Sequence, residues 1–157
     1  MHRLLTAFVL TGLLFMLLPG TFLGVWNLIP ISSRQALQSL SPPFVQAHGH
    51  AQLFGWIGTF ILGIGLFSTK IGPIPPKAIP LGWTCFGLWT SGVTLRWVEG
   101  VSPWHWRVLL PVSAFLELTA FLVFFHTVTS HSPVPQADLS VPANTKREPW
   151  MLMVMAR

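Results

Sequence analysis

Charge is what this sequence has least of. Only 8% of its 157 residues are Asp, Glu, Lys or Arg, where a soluble domain carries roughly 25%. Such a chain cannot clothe a water-facing surface, which excludes an ordinary soluble domain. Cysteine is nearly missing: Cys85 stands alone, which excludes an internal disulfide framework and a cysteine-rich metal site. Its position inside an apolar run makes it a buried, inert thiol. Tyrosine is absent, while 8 Trp and 12 Phe carry the aromatic content, a composition that suits a lipid-facing chain with an aromatic belt. The net charge of +5 comes from scattered residues and builds no basic patch, so nucleic acid is excluded as a partner.

What is present is apolar length. Four runs, at about 4–29, 44–70, 80–98 and 108–129, each approach or exceed the roughly 20 residues that cross a bilayer. They predict an all-α fold: a polytopic membrane protein, a bundle of about four transmembrane helices filling residues 1–129 with the lipid bilayer as its first partner. No β-sheet is expected, because backbone in lipid must satisfy its hydrogen bonds internally. In the first run, Leu4–Ile29, the pair Pro19-Gly20 predicts a kinked or frayed helix, since proline removes a donor. A signal peptide is the alternative; the run is too long for a typical apolar core and lacks an A-x-A-like cleavage site.

Pro30–Val45 is polar, with Ser32 and Ser33 placed to cap a short interfacial helix through Leu40. Pro42-Pro43 then opens the second span near Phe44, and Ile71–Ile79 turns tightly into the third, Pro80–Val98. There Thr84, Gly87, Ser91 and Thr94 form a small, hydroxylated stripe suited to contact with another helix. Glu99–Arg107 is a tryptophan-rich loop, and Pro111 falls in the first turn of the fourth span, where proline is tolerated. Residues 130–157 read as a disordered tail of Ser, Pro, Asn and charges, and its apolar end, Trp150–Met155, is too short to span.

Orientation follows from the basic residues. With the N-terminus inside, the cytoplasmic segments hold six (Arg3, Lys70, Lys77, Lys146, Arg147, Arg157) and the outer segments three (Arg34, Arg96, Arg107). The bias places both termini and the tail in the cytoplasm. His48, His50, Arg96, Glu99, His105 and Arg107 then share the outer side.

The stretch Gln46–Lys70 (QAHGHAQLFGWIGTFILGIGLFSTK) is the centre of the chain. At roughly 100° per residue, His48, Ala51, Gln52, Gly55 and Gly58 fall on one side of a helix, with Gly65 further down, and His50 points the opposite way. An imidazole above a face with almost no side chains admits either a closely packed helix or a flat macrocycle. Haem b needs neutral imidazoles as axial ligands and cations for its propionates. His48 or His50 meets the first need, and Arg96 and Arg107 meet the second through their guanidinium forks; snorkelling to the interface is the other reading of both arginines. His105, between Trp104 and Trp106, is a further ligand candidate or an interfacial residue. Copper on His48, His50 and His105 is conceivable because imidazoles suit it, although a helical His-x-His splays its rings. Glu117, near the middle of the fourth span, must face the bundle interior, as a proton relay, as a neighbour of a metal site, or as a neutral acid bonded to another helix. His126 lies at the opposite end of that span.

The segment AHGHAQLFGWIGTFILGIGLF resembles the amino-terminal part of NnrS-type proteins, bacterial membrane proteins of the nitric-oxide response described as binding haem and copper. His48, His50, Phe54 and Gly55 match their histidine-x-histidine followed by phenylalanine-glycine. More distantly, the segment is similar to the histidine-headed second helix of haem–copper oxidase subunit I. The good match covers Pro43–Lys70, about a fifth of the chain. The resemblance implies a haem- or copper-binding protein of the bacterial inner membrane, in nitric-oxide response or respiratory electron transfer, with Gln52 and Gly55 beside the cofactor. Members of both families have about twelve spans and take further ligands from later helices, so oxygen reduction by this chain alone is not implied. A homo-oligomer or a subunit of a larger membrane complex is. The competing expectation is a structural or assembly subunit that docks through the glycine face; a proton-conducting bundle around Glu117 ranks last, since no internal repeat is visible.

Overall fold

The computed structural model describes residues 2–34, 42–68, 78–102 and 106–131. Among these residues there is no strand; they form four rods. The first is α1 (His2–Phe15), a π-helical segment (Met16–Phe22) and α2 (Leu23–Arg34). The second is α3 (Pro42–His50), a second π-helical segment (Ala51–Gly58) and α4 (Thr59–Ser68). The third is α5 (Ala78–Val101) and the fourth α6 (Trp106–His131). Among the described residues, three helices are long and apolar enough to cross a membrane: His2–Ser33, Pro42–Ser68 and Val108–Ser130. The 24-residue α5 is long enough, but Thr84, Thr90, Ser91, Thr94 and Arg96 make it less apolar.

Hydroxyls fit into these apolar helices because each can bond back to its own helix. Thr84, Thr90, Thr94, Thr119 and Thr127 donate to the carbonyls of Pro80, Phe86, Thr90, Phe115 and Val123, four residues earlier, at 2.7–3.0 Å.

Glycine opposite a large side chain is the recurring joint between rods. A methyl built on Gly63 would lie 2.6 Å from Phe8 Cβ, on Gly12 2.7 Å from the Phe60 ring, and on Gly82 2.6 Å from Leu4. Gly58 faces Trp89, and Gly65 faces Phe124. The pairs Phe8–Gly63 and Phe60–Gly12 set the first and second rods antiparallel. Ala47–Gly100 and Gly58–Trp89 do the same for the second and third, and Cys85–Ala120 with Gly92–Glu117 for the third and fourth. The buried core runs through Leu4, Phe8, Phe15, Leu62, Leu66, Cys85, Trp89, Val93 and Ala120. Leucine and phenylalanine on the other faces are exposed, including Leu17, Leu18, Phe22, Phe115 and Leu122, as lipid contact demands.

Several expectations change. Proline at 19 does not fray the rod, which stays helical on both sides of it; the turn widens into a π segment, which relieves the clash between the ring and the carbonyl four residues back. Thr21 Oγ1 donates to the Met16 carbonyl at 2.8 Å, five residues earlier. The first rod also continues through Pro30 to Arg34, so Ser32 and Ser33 belong to its last turn, where Ser33 Oγ–H donates to the Pro30 carbonyl at 3.4 Å; the rest of the expected interfacial helix, up to residue 40, lies outside the described residues. The stripe Thr84, Gly87, Ser91, Thr94 is exposed, and a methyl on Gly87 would meet nothing within 4 Å. The third rod packs instead through Gly82, Cys85, Trp89, Gly92, Val93 and Gly100. Cys85 is buried as expected, with its Sγ 3.4 Å from the Ala120 carbonyl. The Ile71–Ile79 turn, apart from its last two residues, and the tail after His131 lie outside the described residues.

Candidate functional site

The two histidines diverge, as their helical spacing predicts, and each finds a different rod. His48 Nδ1–H donates to the carbonyl of Gly20, in the π segment of the first rod, at 2.7 Å. A carbonyl oxygen can only accept, so this contact fixes a proton on Nδ1; in the neutral ring the distal Nε2 then carries the lone pair. No hydrogen-bond partner reaches that Nε2 among the described residues. The imidazole is half-buried and lies over Gly24, where a methyl would sit 2.9 Å from Cε1. Gln52, one turn further on, lies against Gly20: a methyl there would be 2.7 Å from its Nε2.

His50 turns to the fourth rod. Its Nε2 and Glu117 Oε1 share a hydrogen bond at 2.9 Å, with both side chains largely enclosed. Phe54 stacks on the ring at 4.5 Å and 15°. Gly92 makes the reach possible: a methyl there would be 2.7 Å from Glu117 Cγ and 3.1 Å from the Ser113 carbonyl. Glu117 therefore crosses bare backbone of the third rod to meet the second. The acid faces another helix, as its depth in an apolar run requires, and its partner is a histidine.

The same contacts separate the two ring positions chemically. A metal-binding imidazole characteristically donates one ring N–H to a carbonyl or carboxylate and ligates with the other nitrogen. His48 has its near nitrogen held, and no described residue bonds its far one. His50 has its far nitrogen occupied, leaving only Nδ1 beside its own backbone.

The space below His48 is not a slot. Gly55 is covered by Phe15 and Val93, Gly58 by Trp89, and Ala51 is buried. Trp89 Nε1–H donates to Thr59 Oγ1 at 3.0 Å, anchoring the indole there. The expectation of an open face running from His48 past Gly55 to Gly58 is therefore corrected: aromatic side chains of the first and third rods fill it. A groove of about 340 Å³ does lie between the first and third rods, lined by Phe15, Pro19, Phe86, Thr90, Thr94 and Trp97 among others; neither His48 nor Gln52 borders it.

Arg96 lies at the same end of the bundle, level with about Ala51, since Ala47 meets Gly100 and Gly55 meets Val93. Its Nη1 is 3.8 Å from Glu99 Oε2 on its own helix, and no described contact joins it to His48. His105 and the side chain of Arg107 lie outside the described residues. His126 is at the far end, 3.4 Å from Ser130 Oγ. No group of three or more His, Cys, Asp or Glu that could hold a metal ion occurs among the described residues. The rings of His48 and His50 point to different rods, and His105, the third residue of the expected copper site, lies outside the described residues.

Two participants had no signal as chemistry-bearing residues: Gly20, through its carbonyl, and Gly24. The visible clue is that Gly20/Gly24 and His48/Gln52 are both four-residue pairs, which an antiparallel crossing sets face to face. Compared with known proteins, the chain matches no protein-family model, no curated protein and no solved structure.

Proposed function

We propose that this chain is a haem-binding protein of the bacterial inner membrane, with four membrane helices and both termini cytoplasmic, serving nitric-oxide response or respiratory electron transfer. The observation that carries this reading is the His48 imidazole: Nδ1–H is held by the Gly20 carbonyl at 2.7 Å and no described residue bonds Nε2, the arrangement an axial ligand needs. His48 would be the ligand, with Gln52 as its polar neighbour and Arg96 and Arg107 as partners for the propionates. His50, bonded to Glu117, serves the packing of the second rod on the fourth. Because Phe15, Val93 and Trp89 fill the glycine face, the macrocycle belongs outside that packing, and a second copy or another subunit would complete its surroundings. Bound haem b would supply one-electron exchange and a coordination position for a small ligand.

The test is a spectrum. Purified protein should show a Soret band and stoichiometric iron, His48→Ala should lose both, and His50→Ala should keep the band with reduced stability. Full haem content in both variants would remove the histidines from the site. The competing reading, an assembly subunit without cofactor, is favoured by one feature: the outward stripe Thr84, Gly87, Ser91, Thr94, which leaves room for a foreign helix. Absence of iron and Soret absorbance would decide for it.

A further inference from the structure

The first rod does more than pack against the second. Proline 19 has no N–H to give, and the turn around it is widened over Met16–Phe22. The Gly20 carbonyl accepts the Leu23 N–H from its own rod and His48 Nδ1–H from the second. Both lone pairs of that oxygen are thereby used. Four residues on, Gly24 brings bare backbone under the ring: a methyl there would lie 2.9 Å from Cε1, 3.4 Å from Nδ1 and 3.6 Å from Nε2. A ring held at 2.7 Å to a fixed carbonyl cannot retreat from such a methyl without leaving its hydrogen bond. Gly20 makes the equivalent space for the Gln52 amide.

We propose that Pro19, Gly20 and Gly24 are positioning residues for His48: together they hold its imidazole as the neutral Nδ1–H tautomer and present Nε2 to a Lewis-acidic metal centre. The metal clause rests on the haem reading above; the tautomer clause does not. The geometry divides the nearby glycines sharply. Gly24 supports the ring, Gly20 supports both the carbonyl and Gln52, and Gly49, next to His48 in sequence, has nothing within 4 Å of an added methyl. A general role in helix packing would not distinguish these positions by the state of one imidazole.

The experiment uses full-length protein in detergent micelles, labelled with 15N-histidine, followed by titration with haemin. The wild type should show a His48 ring protonated on Nδ1 with an unprotonated Nε2. Gly24→Ala should lose that signature and weaken haemin binding by about 10-fold to 100-fold, the range typical of lost outer-shell partners. Gly49→Ala should change neither. Should Gly24→Ala misfold, Gly20→Ala supplies the second measurement: it should disturb the ring through Gln52, and Gln52→Ala in the same protein should restore the tautomer. Pro19→Ala should release the ring if the widened turn reverts to a regular one. A wild-type His48 carrying its proton on Nε2, or a Gly24→Ala protein with unchanged tautomer and affinity, overturns the proposal. A tautomer that responds as described in a protein that binds no haemin upholds the positioning and overturns the haem function.

Discussion

At the end of the bundle where Leu4 meets Gly82 and Phe8 meets Gly63, the joints are hydrocarbon on backbone, reinforced by the edge-on pair Phe8–Phe86 at 5.0 Å. At the other end the same joint, a glycine opposite a large side chain, receives His48, Gln52 and Glu117 instead. The helices differ accordingly. The Leu4 end is regular α-helix, whereas both π segments lie toward the His48 end, and there they face each other. Lipid tails are as apolar as leucine, so close packing must hold the first end together. The second end has hydrogen bonds between rods to add: His48 to Gly20 and His50 to Glu117. π segments are characteristic of functional sites because they free or redirect backbone groups, and here the redirected group is the Gly20 carbonyl. One end is built to hold, the other to present side chains.

Substitutions that exchange the two kinds of joint test this contrast. The largest effect is expected at the packing end. Gly63→Leu forces side-chain atoms into Phe8 with no space to relax, and should lower stability by about 3 kcal/mol, read by denaturation in micelles. A loss smaller than that of the polar variants would show that the apolar end is not the tighter one. Glu117→Leu comes next, at about 2 kcal/mol, because it leaves a buried imidazole nitrogen without its acceptor. Glu117→Gln should recover most of that loss, since an amide oxygen can still accept. Equal tolerance of both would mean that the His50 contact contributes nothing.

Trp89→Phe is smaller. It removes the indole N–H that bonds Thr59 Oγ1 while keeping an aromatic ring over Gly58, and should cost about 1 kcal/mol. Thermal unfolding of the single variants and of Trp89→Phe with Thr59→Ala would show whether the two residues couple. Gly87→Ala, on the outward stripe, should change the stability of the isolated chain by less than about 0.5 kcal/mol. A marked loss of function or assembly in cells with an unchanged melting curve would assign that stripe to another protein.

The helical, lipid-facing character was legible before any coordinates because it depends on composition: too few charges for water, and runs long enough for a bilayer. The divergence of His48 and His50 was legible too, since helical spacing alone separates them. Glu117 had to face a helix because a carboxyl in hydrocarbon is costly. That its partner is His50 was not legible, since the contact depends on Gly92 letting two rods close. The emptiness of the glycine face was misread for the same reason. Spacing shows which residues share a side, but not which side chains from other rods arrive there, and Phe15, Val93 and Trp89 come from two different rods.

The sequence by itself determined the class of molecule, the approximate rods and the opposed directions of the histidines, because these follow from local periodicity and from transfer to lipid. Only the tertiary structure decided which nitrogen of each imidazole is bonded to another rod. That depends on the antiparallel register of the first two rods, which brings Gly20 and Gly24 against Gln52 and His48. The carbonyl involved leaves no trace in a residue name: it reaches His48 because proline 19 widens one turn.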